Sequence, residues 1–377
     1  MKPDHLHIIS FDIPYPANYG GVIDVFYKLK ALKENGIKVT LHCFQYGNRT
    51  ASDELENLCE NVFYYHRKTG IASHLSFKPY IVKSRRSKEV LNNLLKDNDP
   101  ILFEGLHTCD LLSHPKLKDR FKIYRESNIE HHYYYSLARS SRSLLKKAFY
   151  LIESLKLLAF QSKLKHADLM LTVSRVDQQY LSLRFPNIEV KYLPSFHEND
   201  EVRGELGQGE YALFHGNLSV EENERSAIYL IKEIFSELDY PLVIAGGDPS
   251  KHLVRLADKY ENISIISNPD HEEMQKLLKE AQVNIMITFQ ATGLKLKLLN
   301  ALYQGRYCIC NSNMLSGTSL SAICAIADTK VELIDKINIL KERKFGPKCQ
   351  KHRGAFLKQH YYNANQAEKL IKLLAGR

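Results

Sequence analysis

Apolar residues fall in short continuous runs along the chain, separated by stretches in which they recur every three to four positions. That is the pattern of buried parallel strands alternating with helices. In the first half the strand-like runs are residues 5–11, 38–44, 62–67, 101–105, 121–127, 169–174 and 190–193. A first helix, from about Val22, is expected to stop at Gly36, a residue suited to the position just past a helix end. A polar, glycine-bearing stretch over 198–209 reads as a linker. Alternation then resumes with runs at 211–216, 241–247, 263–267, 283–288, 307–311 and 322–327, and a last helix is expected over about 355–374. Two successive βαβ series predict two doubly wound α/β domains.

One helical pattern carries a polar stripe. Gly293, Lys297, Asn300 and Gln304 recur at helical spacing while Leu294, Leu298, Ala301 and Leu302 fill other faces, and Thr292 stands where an N-cap would. The helix follows the run at 283–288, so its start is expected at the carboxyl ends of the strands, where open α/β sheets bind ligands. Free backbone N–H groups there, with Lys297, would cradle a phosphate. The alternative is an ordinary solvated helix face.

The 377 residues suffice for two domains that each bury a core. Seven scattered cysteines lack a C-x-x-C pair, which fits a reducing compartment and indicates neither a disulfide framework nor a zinc site. No signal-peptide pattern and no apolar run approaching roughly 20 residues is present, so a cytoplasmic protein is expected. Charge is unevenly distributed. Residues 1–195 hold 29 Lys and Arg against 20 Asp and Glu, whereas residues 196–377 hold 23 of each. The excess gathers in Lys78, Lys83, Arg85, Arg86 and Lys88, and in Arg139, Arg142, Lys146, Lys147 and Lys156. The second group is interleaved with Leu144, Leu145, Phe149, Leu151, Ile152, Leu155 and Leu158. This is the pattern of a basic amphipathic helix, read either as meeting an anionic partner such as a membrane surface, or as a core helix whose lysines snorkel.

Candidate chemistry clusters at expected strand ends. Gly20 and Gly21 would let backbone approach a ligand at the first strand-to-helix turn, or merely make that turn tight. Glu104 and His107 follow the fourth run, where a carboxylate and an imidazole could orient an acceptor hydroxyl. Arg125, Asn128 and Glu130 follow the fifth, with Arg125 equally suited to an ion pair with Glu104. Adjacent His131 and His132 point different ways on a helix and share no ligand spacing, so no metal is expected.

Four segments carry a resemblance. Ile13-Pro14-Tyr15-Pro16-Ala17-Asn18-Tyr19-Gly20-Gly21 resembles the glycine-rich opening loop of group 1 retaining glycosyltransferases of GT-B architecture. Tyr124-Arg125-Glu126-Ser127-Asn128-Ile129-Glu130-His131 is similar to their R-x-H-N-V-E-H segment. Phe214-His215-Gly216-Asn217-Leu218-Ser219, with Asn223, resembles the first strand and loop of their donor domain. Gly293-x-x-x-Lys297-x-x-Asn300-Ala301-x-x-x-Gly305 resembles their G-x-x-x-K-x-x-E-A-x-x-x-G helix. The resemblance implies two Rossmann-like doubly wound domains facing each other across a cleft: 1–195 for the acceptor, 196–355 for a nucleotide-sugar donor, and 356–377 as a helix packing back on the first. It implies transfer of a hexose-type sugar from a nucleoside diphosphate sugar to a saccharide or lipid-linked acceptor with retention, without cofactor or metal, in polysaccharide or glycolipid assembly at the inner face of a bacterial membrane. Glu104, His107, Asn128 and Glu130 would then be catalytic. Gly20, Gly21, Gly216, Asn217, Asn223, Thr292, Gly293, Lys297 and Asn300 would bind the donor.

Several positions depart from the family pattern. Thr292 and Asn300 replace two glutamates, Asn217 and Asn223 replace an arginine and a lysine, and Ser127 replaces a histidine. Lys297, with Lys295 or Arg225 in reserve, is therefore expected to supply the cation. These substitutions keep a non-catalytic glycosyltransferase-like subunit open as a rival, alongside a sugar-nucleotide epimerase of the same shape or an NAD enzyme. The NAD reading lacks a G-x-G-x-x-G after the first strand. Nucleic acid is not an expected partner, because the basic residues follow no recognised motif.

Overall fold

The computed structural model describes residues 4–74, 76–141, 143–289 and 295–375. Thirteen strands are present among them, all paired in parallel, in two sheets. The chain divides into two compact units, one formed by residues 1–198 and 361–377 and the other by residues 199–291 and 295–360.

In the first unit the strands are β1 (His5–Ser10), β2 (Lys38–Gln45), β3 (Asn61–His66), β4 (Ile101–Glu104), β5 (Lys122–Glu126), β6 (Leu169–Thr172) and β7 (Glu189–Tyr192), in the order β3-β2-β1-β4-β5-β6-β7. Alternate residues of each strand feed two cores. Leu6, Ile8, Leu41, Leu102 and Ile123 face the helix Gly20–Glu34, while Ile9, Phe44, Phe103, Tyr124 and Met170 face the opposite layer. Both faces of the central strands are covered, so apolar residues predominate in them and polar ones such as Thr40 and His42 of β2 are buried as well.

In the second unit β8 (Ala212–His215), β9 (Leu242–Gly246), β10 (Ile263–Ser267), β11 (Val283–Met286), β12 (Tyr307–Cys310) and β13 (Ala325–Ile326) take the order β10-β9-β8-β11-β12-β13. Each sheet reverses its winding beside its first strand, at β1/β4 and at β8/β11. Doubly wound sheets bind ligands at these switch points.

Two local expectations are corrected. The C-terminal stretch forms two helices, Pro347–Tyr361 and Asn363–Ala375, rather than one. They part where the Asn363 amide accepts from the His197 N–H (3.2 Å) and donates to its carbonyl (2.6 Å), which fixes the chain locally. The second of these helices packs against Gly20–Glu34. The stripe-bearing helix spans Leu296–Gln304 and follows Lys295, whose backbone (φ −95°, ψ 33°) is not helical. It starts about a turn later than the sequence suggests. Lys297 therefore lies in its first turn, and Thr292 and Gly293 lie outside the described residues.

Candidate functional site

At the β8/β11 switch point, four of the sequence-predicted donor residues come together. Gly216 follows β8, and a Cβ on it would sit 3.1 Å from the Asn223 side chain. A Cβ on Gly246 would lie 1.7 Å from the Gly216 carbonyl oxygen, so β9 passes this loop at a distance only glycine allows. Asn217 folds the loop on itself, its Oδ1 accepting from the Ser219 N–H (3.0 Å) and hydroxyl (2.6 Å). Asn223 donates to the Asn217 carbonyl (2.8 Å) and accepts from Lys297 Nζ (3.2 Å). Lys297 also lies 5.7 Å from the Phe214 ring centroid.

Burial lowers the Lys297 pKa to about 8, against the pull of Glu222. Burial also lowers His215 to about 3, with the Lys297 charge adding to the effect, so its imidazole is neutral. Its Nε2 is buried without a hydrogen bond. In the sequence His215 stands out only as part of the Phe214–Ser219 motif; the structure makes it a polar group with unused capacity beside Gly216.

The helix that follows, Glu221–Tyr229, carries Glu221, Glu222 and Glu224 in its first turn. They complement the positive end of the helix dipole. Glu222 Oε1 accepts from the Thr288 hydroxyl (2.7 Å) and from the Phe289 N–H, tying the helix to the loop after β11. Arg225 is not poised over the loop; its guanidinium stacks on the Phe289 ring at 4.3 Å. Asn300 accepts from Asn199 (3.4 Å), which in turn accepts from Gln304 (2.6 Å). The polar stripe thus holds the segment that enters the second unit.

In the first unit the candidates separate into two groups. Glu104 is buried in a four-charge network: Arg125 donates to both Asp24 oxygens (2.9 Å each), and Lys28 donates to Asp24 (3.1 Å) and to Glu104. Asp24 also accepts from the Phe196 N–H (2.7 Å), and Arg125 donates to the Leu193 and Pro194 carbonyls. Burial would raise the Asp24 pKa, but Arg125 and Lys28 outweigh it and hold the carboxyl at about 2. The Glu104 carboxylate is thus engaged in the interior, 3 % exposed, as the ion-pair alternative for Arg125 expects.

His107 and Glu130 do meet, 3.9 Å apart. Burial raises Glu130 to about 8 against the field of Arg85, and drives His107 well below its ordinary value with help from Arg85 and Arg67. Near neutrality the pair is a protonated carboxyl beside a neutral imidazole. Asn128 lies on the same turn, its N–H donating to Glu126 (3.2 Å) and its Oδ1 buried without a hydrogen bond. Gly20 and Gly21 open the first helix, and a Cβ on Gly21 would sit 2.4 Å from the Phe11 ring, which itself packs on His107. Ring packing accounts for Gly21.

Sequence reading missed Arg85, grouped with surface charges but buried, donating to the Phe11 (2.6 Å) and Ile81 (2.7 Å) carbonyls. Its apolar neighbours Tyr80-Ile81-Val82 were the available signal. It also missed Asp12 and Arg49. Asp12 accepts from the Tyr19 hydroxyl (2.7 Å), and Arg49 clamps the loop through the Ile13 and Pro16 carbonyls. Beside them lies an open cavity of about 820 Å³ bordered by Asp12, Tyr19, Tyr46 and Arg49.

Among the described residues, His5, His7 and Asp99 could hold a metal ion. They sit at the amino-terminal ends of β1 and β4, away from both switch points, and His7 is already bonded to His42 and Asp97 (3.0 Å each).

A raised carboxyl pKa has a sign. Glu130 favours folding while protonated in both states, and that contribution is lost as pH rises from its unfolded value near 4.5 through about 8. Glu130→Gln should therefore flatten part of the fall in melting temperature between about pH 5 and about pH 8.5. Parallel melting curves for the two proteins would show that the carboxyl is not buried in this way.

Residues 209–340, within the second unit, match the family model described as glycosyl transferases group 1. The chain as a whole has the GT-B fold. Anabaena HepE, solved with UDP and glucose, superposes with a TM-score of 0.65 at 10% identity, covering 99% of this chain and 100% of that one. Sucrose-phosphate synthase from Thermosynechococcus elongatus gives 0.63 at 14% identity, covering 99% and 97%. A Klebsiella pneumoniae protein described as an uncharacterized 44.6 kDa protein in the cps region is 28% identical over 334 residues, 82% of this chain and 84% of its own length. Among the described residues no helix is long and apolar enough to cross a membrane.

Proposed function

We propose that the protein transfers a hexose-type sugar from a nucleoside diphosphate sugar to a saccharide or lipid-linked acceptor, with retention at the anomeric carbon, in the assembly of a surface polysaccharide. The observation that carries this reading is the Lys297–Asn223–Asn217 chain at the β8/β11 switch point, inside the segment that matches the group 1 glycosyltransferase family model. The second unit takes the donor. Lys297 sits half-buried, where a cation acts on a diphosphate with little screening, and stabilises the charge that develops on the leaving group. No metal is needed for that step. The neutral His215 Nε2, free of hydrogen bonds, offers a further polar contact beside Gly216.

The first unit takes the acceptor. His107 and Glu130 orient its hydroxyl, the neutral imidazole accepting and the protonated carboxyl donating. The 820 Å³ cavity by Asp12 and Arg49 has room for a saccharide. HepE was solved with UDP and glucose, and the Klebsiella relative comes from a cps region; both agree with this assignment. The basic first half is proposed to serve an anionic membrane surface.

A second reading has one observation in its favour. Glu221, Glu222 and Glu224 crowd the helix start after β8, near where relatives place cations on the diphosphate, which suits a subunit that has lost donor binding. A panel of nucleotide sugars separates the two. The enzyme reading expects at least one to be bound and slowly hydrolysed by the wild-type protein; binding of none would establish the non-catalytic subunit instead.

A further inference from the structure

The helix Leu144–Phe160 is turned inside out relative to a core helix. Its buried residues include Glu153 and Ser154, with Leu157. Glu153 accepts from the Tyr80 N–H (2.6 Å) and Ser154 donates to the His131 carbonyl (2.8 Å), so polar groups fasten the helix to the body of the first unit. The opposite face is aliphatic and exposed. Leu144, Leu145, Leu151, Ile152, Leu155 and Leu158 lie on one side by helical spacing, and Leu145 and Leu155 are 86% and 67% exposed. That stripe contains no Asp or Glu. Lys146 and Lys147 are exposed in its first turn, and exposed Arg139 ends the preceding helix, Glu130–Ser140. Phe77, fully exposed, stands on the turn after His74, whose ring packs on Phe149 of the same helix.

We propose that this helix lies in the plane of an anionic lipid bilayer, its leucine stripe inserted among the acyl chains and Lys146, Lys147 and Arg139 against the headgroups. A stripe this wide and this free of polar atoms matches hydrocarbon, and a large exposed apolar face with cationic flanks is the composition that binds such interfaces. A second copy of the chain fits less well. A second copy would bring a second set of lysines to the same interface and no compensating acidic residue from the stripe, whereas anionic headgroups provide the opposite charge. The core-helix alternative is excluded by the exposure of the stripe. The inference rests on, and deepens, the proposal that the basic first half meets an anionic membrane, and it is separable from donor binding because it uses no residue of the second unit.

The full-length protein should co-sediment with vesicles of phosphatidylcholine mixed with phosphatidylglycerol, far less with phosphatidylcholine alone, and added salt should weaken the binding. Leu151→Ser with Leu155→Ser, both exposed, should leave nucleotide binding and melting temperature unchanged and lower vesicle affinity roughly tenfold or more. Lys146→Ala with Lys147→Ala should remove the preference for anionic vesicles. Undiminished vesicle binding in the leucine variant would overturn the proposal. So would a concentration-dependent dimer that the leucine variant abolishes, in a protein that binds no vesicles, since the face would then serve a second copy. Loss of nucleotide binding with vesicle binding intact would count against the enzyme reading alone.

Discussion

Replacing Arg125 by alanine is expected to destabilise the first unit by about 3–5 kcal/mol, the cost of leaving buried charge uncompensated. Arg125 lies 1 % exposed between Asp24 and Glu104 and also caps the carbonyls of Leu193 and Pro194. Its removal strands two carboxylates with one lysine and orphans two carbonyls at once. Arg125→Lys should recover part of the loss, because an ammonium keeps the charge but cannot bridge both Asp24 oxygens as a guanidinium does. Denaturant unfolding measures this, provided the transition of the first unit is resolved from that of the second. A change below about 1 kcal/mol would mean that the network is open to water and that Glu104 is available for chemistry after all.

Much of this architecture can be read from residue order. All thirteen strands overlap the runs that predict them, because parallel strands covered on both faces are rich in apolar residues. What the sequence hides is direction. Glu104 and Glu130 both follow strand ends and look alike in a list of residues, yet one is neutralised by Lys28 and Arg125 and the other is held protonated by burial beside His107. Arg85 reads as a surface charge because the chain that folds over it lies elsewhere in the sequence. The leucines of residues 144–158 fit a core helix or an exposed stripe equally well, since helical spacing fixes a face without saying what covers it. Asn300 shows a further limit: its contact with Asn199, a hundred residues away, gives the polar stripe a structural task that spacing alone could not reveal.

The second large effect belongs to Lys297. Lys297→Ala should weaken nucleoside diphosphate binding by about 1–3 kcal/mol, roughly five- to 150-fold, as expected for one charge-assisted contact. Arg225 is stacked on Phe289 and the following helix begins with carboxylates, so neither supplies the charge in place of Lys297. Burial adds a pH signature. With a free-protein pKa of about 8, Lys297 is mostly charged at neutral pH and loses its proton above that value. A diphosphate binds the charged form, so complex formation takes up a proton at high pH, and affinity should fall by up to about tenfold per pH unit above 8. Arginine stays charged throughout this range.

The most direct measurement is calorimetric titration of the wild-type protein and of Lys297→Arg and Lys297→Ala with a panel of nucleoside diphosphates, on both sides of pH 8. The account predicts that at least one nucleotide binds the wild type, that binding weakens above pH 8 with proton uptake, that the arginine variant loses this pH dependence, and that the alanine variant binds weakly at every pH. Failure of every nucleotide to bind the wild type, or equal affinity and an unchanged pH profile in the alanine variant, would contradict it.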